Sequence, residues 1–173
     1  MVYFPTLKRT GLAVIALLLS MAPWGQAQAS DDSGNVKAVI IFNILRFASF
    51  PHAGRALKLC TRSNEVIARN LQALDGRSLG ERRLDVVLVP SWSAGTSACD
   101  VIYTGSGDAK ALPKARYGQI TIGDGPSFID RDGTVGLIDF GGQTRFTINA
   151  RIARRADVRF SSQLMRLAAR VIN

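Results

Sequence analysis

The spacing of apolar and polar positions changes along the chain, and each change marks an element. Residues 30–35 are a polar lead-in. Residues 36–50 predict a helix that Pro51 ends. Val36, Ile40, Asn43, Phe47 and Phe50 share one stripe of that helix, the expected core face. Val39, Ile41, Phe42, Ile44 and Leu45 are apolar too. A helix apolar on most sides is covered on most sides. It is either sandwiched within the domain or presents one face to another subunit. Asn43 inside the run calls for a hydrogen-bond partner.

Residues 56–60 predict a first strand, and 65–74 an amphipathic helix that Gly76 ends. Residues 84–89 are a nearly continuous Val/Leu run, the pattern of a strand buried on both faces. Short strands follow at 101–104 and 119–122, with a weak helix at 110–115 interrupted by Pro113. Residues 135–140 and 144–149 flank Gly141-Gly142, a hairpin signal. In the second of these, Arg145 and Asn149 point away from Phe146 and Ile148. Phe146 and Ile148 are expected in the core, and Asn149 is expected to cap or hydrogen-bond the segment leading to the last helix. That helix starts with Ser161 or Ser162 as N-cap and runs to Ile172, with Leu164, Leu167, Ala168 and Val171 as its apolar face. The order predicts an α/β domain: a mostly parallel sheet flanked by helices, with a late antiparallel hairpin.

The N-terminus changes the setting. Lys8 and Arg9 precede an apolar run at 11–22, and Ala27-Gln28-Ala29 follows as a small-x-small site. This is the layout of a secretory signal peptide, so residues 1–29 are expected to be removed and 30–173 to form the single domain. The competing reading is an uncleaved anchor. Pro23 and Gly25, which break the helix ahead of the site, favour cleavage. In an exported chain, two cysteines, Cys60 and Cys99, suggest one disulfide rather than two buried thiols.

Lys and Arg number 22 against 13 Asp and Glu, and only Lys8 and Arg9 belong to the leader. The surplus fits solvated helix faces, with an acidic partner or a membrane surface as the alternative. Scattered arginines without interleaved aromatics argue against nucleic acid, as does export.

Candidate chemistry is thin. His52, the one histidine, follows Phe50-Pro51 in a turn and lacks partners for a triad or zinc site. Gly123-Asp124-Gly125 and Asp130-Arg131-Asp132-Gly133 read as turns, since a calcium loop needs more oxygen ligands at regular spacing. Gly105-Ser106-Gly107 follows a strand but matches neither phosphate-loop pattern. No metal, cofactor or catalytic set is expected.

The remaining pattern resembles the YfiR family of periplasmic proteins. Lys37-Ala38-Val39 through Phe42-Asn43, Phe47 and Pro51 are similar to its opening helix. Leu57–Cys60 and Cys99-Asp100-Val101-Ile102-Tyr103 resemble its two cysteine segments, and Gly136-Leu137-Ile138 a late strand. Arg145-Phe146-Thr147-Ile148-Asn149 and Ser161-Ser162-Gln163-Leu164 resemble its closing pattern. The resemblance implies a regulator that binds the periplasmic domain of a membrane-bound diguanylate cyclase or sensor kinase. A second cysteine pair of that family's best-known member is absent here, which puts a two-disulfide redox switch in doubt. On the helix side away from the Ile40–Phe47 stripe, Phe42 and Leu45 are the candidate contacts for such a partner or for a homodimer. The reading from a different class is a small-molecule binder, using the glycine loops after Tyr103 and Ile122 at the carboxyl ends of strands.

Overall fold

The computed structural model describes residues 27–51, 54, 56–92, 96–106 and 115–173. The expected leader up to residue 26, His52, Gly107 and most of the weak helix at 110–115 lie outside them.

The described part of the chain opens with helix α1 (Ala27–Arg46) and a two-residue strand β1 (Ala48–Ser49). Then come β2 (Ala56–Arg62), α2 (Ala68–Gln72), β3 (Ser78–Leu79), β4 (Arg82–Val89), β5 (Val101–Tyr103) and β6 (Ile120–Asp124). The hairpin β7 (Val135–Phe140) and β8 (Gln143–Asn149) follows, then α3 (Ala150–Arg155), β9 (Arg159–Phe160), α4 (Ser162–Leu167) and β10 (Arg170–Ile172). Eight strands form one sheet in the order β10-β8-β7-β6-β5-β2-β4-β3. Pairing is parallel except between β7 and β8 and between β3 and β4. The expected α/β domain with a mostly parallel sheet and a late hairpin is therefore present. Gly141 and Gly142 turn the hairpin with φ of 60° and 76°, the left-handed values a two-residue turn requires.

The core lies between the sheet and α1. Leu57 and Leu59 of β2, Val101 and Tyr103 of β5, and Ile120 and Ile122 of β6 meet Ala38, Ile41, Ile44 and Leu45 of the helix. Here the expected stripe is corrected: Val36, Asn43 and Phe47 are exposed, and the buried face is rotated around the helix. In a helix apolar on most sides, hydrophobicity does not choose the face; steric fit does. Gly34 and Ala38 are small and let the helix approach closely. A Cβ at Gly34 would stand 2.8 Å from the Asn70 Oδ1 of α2. Asn43, being exposed, can be served by water instead of a buried partner.

Three other expectations change. β4 is half-buried along much of its length rather than buried on both faces, because it is flanked on one side only by the two-residue strand β3. The second helix shrinks to α2, and Val66 stands in solvent. The last helix stops at Leu167, and Arg170–Ile172 pairs in parallel with Thr147–Asn149. Its apolar residues recur at helical spacing, but the open edge of β8 offers unpaired backbone groups. The chain satisfies them, beginning with Ala169 N donating to Phe146 O at 2.8 Å. Helix α3, β1 and β9 carry too few residues to give a periodic signal.

Asn149 ties the hairpin to α3. Its side chain accepts from Ile152 N at 3.1 Å as the N-cap of that helix, and its Nδ2 donates to Ile129 O at 2.9 Å. Asn149→Ala removes both bonds from a buried position and leaves the Ile129 carbonyl unpaired. We expect a loss of about 2–3 kcal/mol in urea denaturation, against well under 1 kcal/mol for the exposed Arg145→Ala.

Candidate functional site

The carboxyl ends of β2, β5 and β6 lie side by side, because parallel pairing puts Thr61 beside Tyr103 and Tyr103 beside Ile122. Ligand crevices of open α/β sheets form at such ends. Tyr103 Oη donates to Asp124 Oδ1 at 3.1 Å, and Lys37 of α1 reaches Asp124 Oδ2 at 2.6 Å. One carboxylate thus ties the middle of the helix to two strands. Burial pushes the Tyr103 hydroxyl well above the usual tyrosine range; the charge of Asp124, the hydrogen bond to it and the charge of Glu65 push the same way. Next to it, Arg62 pairs with Glu65 Oε1 at 2.5 Å and lies 5.6 Å from the centre of the Trp92 ring. Gly105, at φ 62°, packs on Glu65, where any Cβ would collide with the carboxylate. An open groove of about 660 Å³ lies beside Asp124, between Ser33, Lys37, Ser106 and the outer part of the hairpin at Ile138 and Thr144.

This arrangement can hold a polar molecule in the groove. Asp124 is tied to Lys37 and Tyr103, and Glu65 to Arg62, while Asp139, also at the groove, accepts from Gly142 N of the hairpin turn. Among the described residues, no group of three His, Cys, Asp or Glu stands close enough together to hold a metal ion.

On the opposite face of the sheet, Cys60 and Cys99 form a disulfide with Cα atoms 5.9 Å apart. Both cysteines are buried, in a small cluster with Val89 and Ile102, and Trp92 packs against it. The Gln119 amide donates to Cys99 O at 2.8 Å and to Thr96 O at 2.9 Å, fixing the loop before β5.

The motif residues divide by role. Lys37 is in the Asp124 pair, Ser161 caps α4 by accepting from Leu164 N at 3.2 Å, and Leu164 is buried. Asn43, Arg145 and Ser162 are exposed, while Pro51 and Phe146 are half-buried. Of the two expected contact residues, Phe42 is half-buried against the core. Leu45 is corrected: at 3% exposure it is a core residue, because the helix seats on that side. The open apolar face is instead Val36 (43% exposed), Val39 (51%) and Phe47 (38%). The sequence pattern marks Asp124 as a turn residue and gives no role to Tyr103, Arg62 or Glu65. The available signal was a polar residue closing each of three apolar strands.

A family model described as YfiR/HmsC-like, DUF4154, matches residues 34–169. The chain belongs to the YfiR/HmsC-like family. Proteins of this family are periplasmic regulators and are generally non-catalytic. No curated protein matches the chain. Among solved structures, it is similar to the crystal structure of a conserved domain protein from Vibrio cholerae O1 biovar eltor, at 14% identity and a TM-score of 0.46, over 80% of this chain and 60% of that one. It is also similar to the ABC domain in complex with L-Trp from Streptococcus pneumonia, at 10% identity and a TM-score of 0.49, over 76% of this chain and 59% of that one. The YfiR/HmsC-like chain thus spans about three fifths of each. No described helix is long and apolar enough to cross a membrane, and the disulfide of this YfiR/HmsC-like protein fits an oxidising compartment.

The disulfide and Tyr103 each set a measurable expectation. The disulfide bridges residues 39 apart in sequence, so in the chain-entropy model it stabilises by about 4 kcal/mol. Reduction should lower the melting temperature by roughly ten degrees, read by calorimetry with and without reductant. Tyr103 is neutral when folded, while in the unfolded chain it ionises near the ordinary value of about 10. Its contribution is full below about pH 10 and is lost as pH rises further. The wild type should therefore lose stability more steeply above pH 10 than Tyr103→Phe does; equal slopes would show that the hydroxyl is not held neutral.

Proposed function

We propose that this protein is a periplasmic, non-catalytic regulator that binds and represses the sensor domain of a membrane-anchored diguanylate cyclase, and so controls cyclic di-GMP and biofilm formation. The observation that carries the reading is the match to the YfiR/HmsC-like family from residue 34 to 169. In this reading residues 1–29 are the export signal, and the mature chain begins within α1. The open face of that helix is the surface we assign to the partner. Val36, Val39 and Phe47 stand in solvent there, backed by half-buried Ile40 and Phe42. Phe47 is the one exposed aromatic side chain on this face, and interface energy concentrates in a few large anchors rather than in the surrounding valines. A sensor kinase in the place of the cyclase would use the same surface, and so would a second copy of the chain.

The groove beside Asp124 favours a second reading, a small-molecule binding protein. Its volume of about 660 Å³ lies within the usual range for ligand sites, and its walls mix apolar with polar groups.

Val36→Asp with Val39→Asp separates the two. The substituted side chains are exposed, so the circular dichroism spectrum should stay unchanged. The variant should lose the membrane protein captured by the tagged wild type, and cellular cyclic di-GMP should rise. If the folded variant captures the same protein with equal yield, the α1 surface is wrong. If only Thr144→Trp, which narrows the groove, changes signalling, the ligand reading replaces the regulator reading.

A further inference from the structure

From Arg145 to the C-terminus the chain has seven arginines and one acidic residue, Asp157. The fold gathers most of these arginines. On α3, Arg151, Arg154 and Arg155 are exposed at helical spacings of three and four, so they form one stripe, while Ala150, Ile152 and Ala153 face inward. Arg154 and Arg159 flank one shallow depression, floored by Phe160 and Met165 and measuring about 210 Å³. Arg155 shares a second depression, of about 260 Å³, with Arg116 and Tyr117. Arg166 is exposed on α4, one residue from Met165. A band of six guanidinium groups thus crosses α3, β9, α4 and the segment before β6. Among the described residues none of the six has an ion-pair partner, and neither do Arg69, Arg77, Arg83, Arg131 and Arg145 elsewhere; what sets the band apart is its density around two shared depressions. Two acids at the band offset part of it, which leaves six arginines against two carboxylates. Asp157 accepts from the Tyr117 hydroxyl at 3.0 Å, and Asp132 lies in the second depression.

We propose that this band is a docking surface for the anionic headgroups of a phospholipid bilayer. Guanidinium groups left unpaired and spread over a broad face match a surface of phosphates, and arginine is the side chain best suited to phosphate. The depressions are shallow, and each is smaller than a usual ligand pocket. Tyr117, 63% exposed, adds an amphipathic ring of the type found at membrane interfaces. Such binding is reversible, and salt screens it within a Debye length. The surface lies outside the α1 face assigned to the protein partner, and its occupation needs no partner.

The test uses the purified protein alone and co-sedimentation with vesicles. It should bind vesicles of phosphatidylglycerol mixed with phosphatidylethanolamine, release them as salt is raised, and ignore phosphatidylcholine vesicles. The triple variant Arg151→Gln, Arg154→Gln, Arg155→Gln should keep its circular dichroism spectrum and bind on the order of a hundred-fold more weakly. Arg69→Gln with Arg77→Gln, exposed on and just after α2, is the control and should bind as wild type. No binding to phosphatidylglycerol overturns the proposal. So does equal loss in the control, which would reduce the effect to net charge. Binding to an acidic protein such as polyglutamate with none to the vesicles assigns the band to a protein partner and overturns it as well.

Discussion

Asp124 stands where three elements have to agree. It closes β6, accepts the hydroxyl of Tyr103 at the end of β5, and receives Lys37 from α1. The helix makes no backbone pairing with the sheet. Its rotation and its position along the strands rest on side chains: the fit of Ala38, Ile41, Ile44 and Leu45 into the core, and this one partly buried ion pair. Once the helix is so placed, Val36, Val39 and Phe47 face outward, and the groove opens beside the same carboxylate. The removal of Asp124 would strand Tyr103 and Lys37 together, and a buried partner left alone costs more than the pair contributed.

The parts of the fold that could be read from sequence were those with a clean period or a stereochemical demand. The hairpin was legible because Gly141-Gly142 admits the turn and little else does. That Asn149 bonds the segment after the hairpin was legible from the strand alternation; that it does so as the N-cap of α3 was not, since α3 gives no periodic signal. The rotation of α1 was not, since periodicity cannot choose among faces that are all apolar; Gly34 decides it through an approach visible only in three dimensions. The end of the chain misled for the opposite reason. Leu164, Leu167 and Val171 have helical spacing, yet β8 needed a neighbour, and the last residues became β10. Of the site, the disulfide was legible, from cysteine arithmetic; Lys37 stood in a family motif, but its pair with Asp124 was not foreseen. Asp124, Tyr103, Arg62 and Glu65 were not, because their link is the alignment of parallel strands far apart in sequence.

Charge is used in two ways on this molecule. At the strand ends, the charged groups are matched within the chain and hold the structure in shape. Along α3, β9 and α4, positive charges are left without internal partners. Unmatched charge contributes nothing to folding and repels its neighbours; gathered on one face, it creates a field that an anionic surface outside the molecule can answer.

Trp92 packs against the cluster that contains the disulfide and lies under the guanidinium of Arg62, which in turn grips Glu65. Apart from Trp24, ahead of the described residues, it is the chain's only tryptophan. Sulfur–sulfur bonds and nearby cations both alter the emission of an indole. The molecule therefore carries its own optical probe, placed between the covalent link on one face of the sheet and the polar cluster at its edge. Emission from one ring would respond to opening the bond and to disturbing the Arg62 pair, with no dye attached.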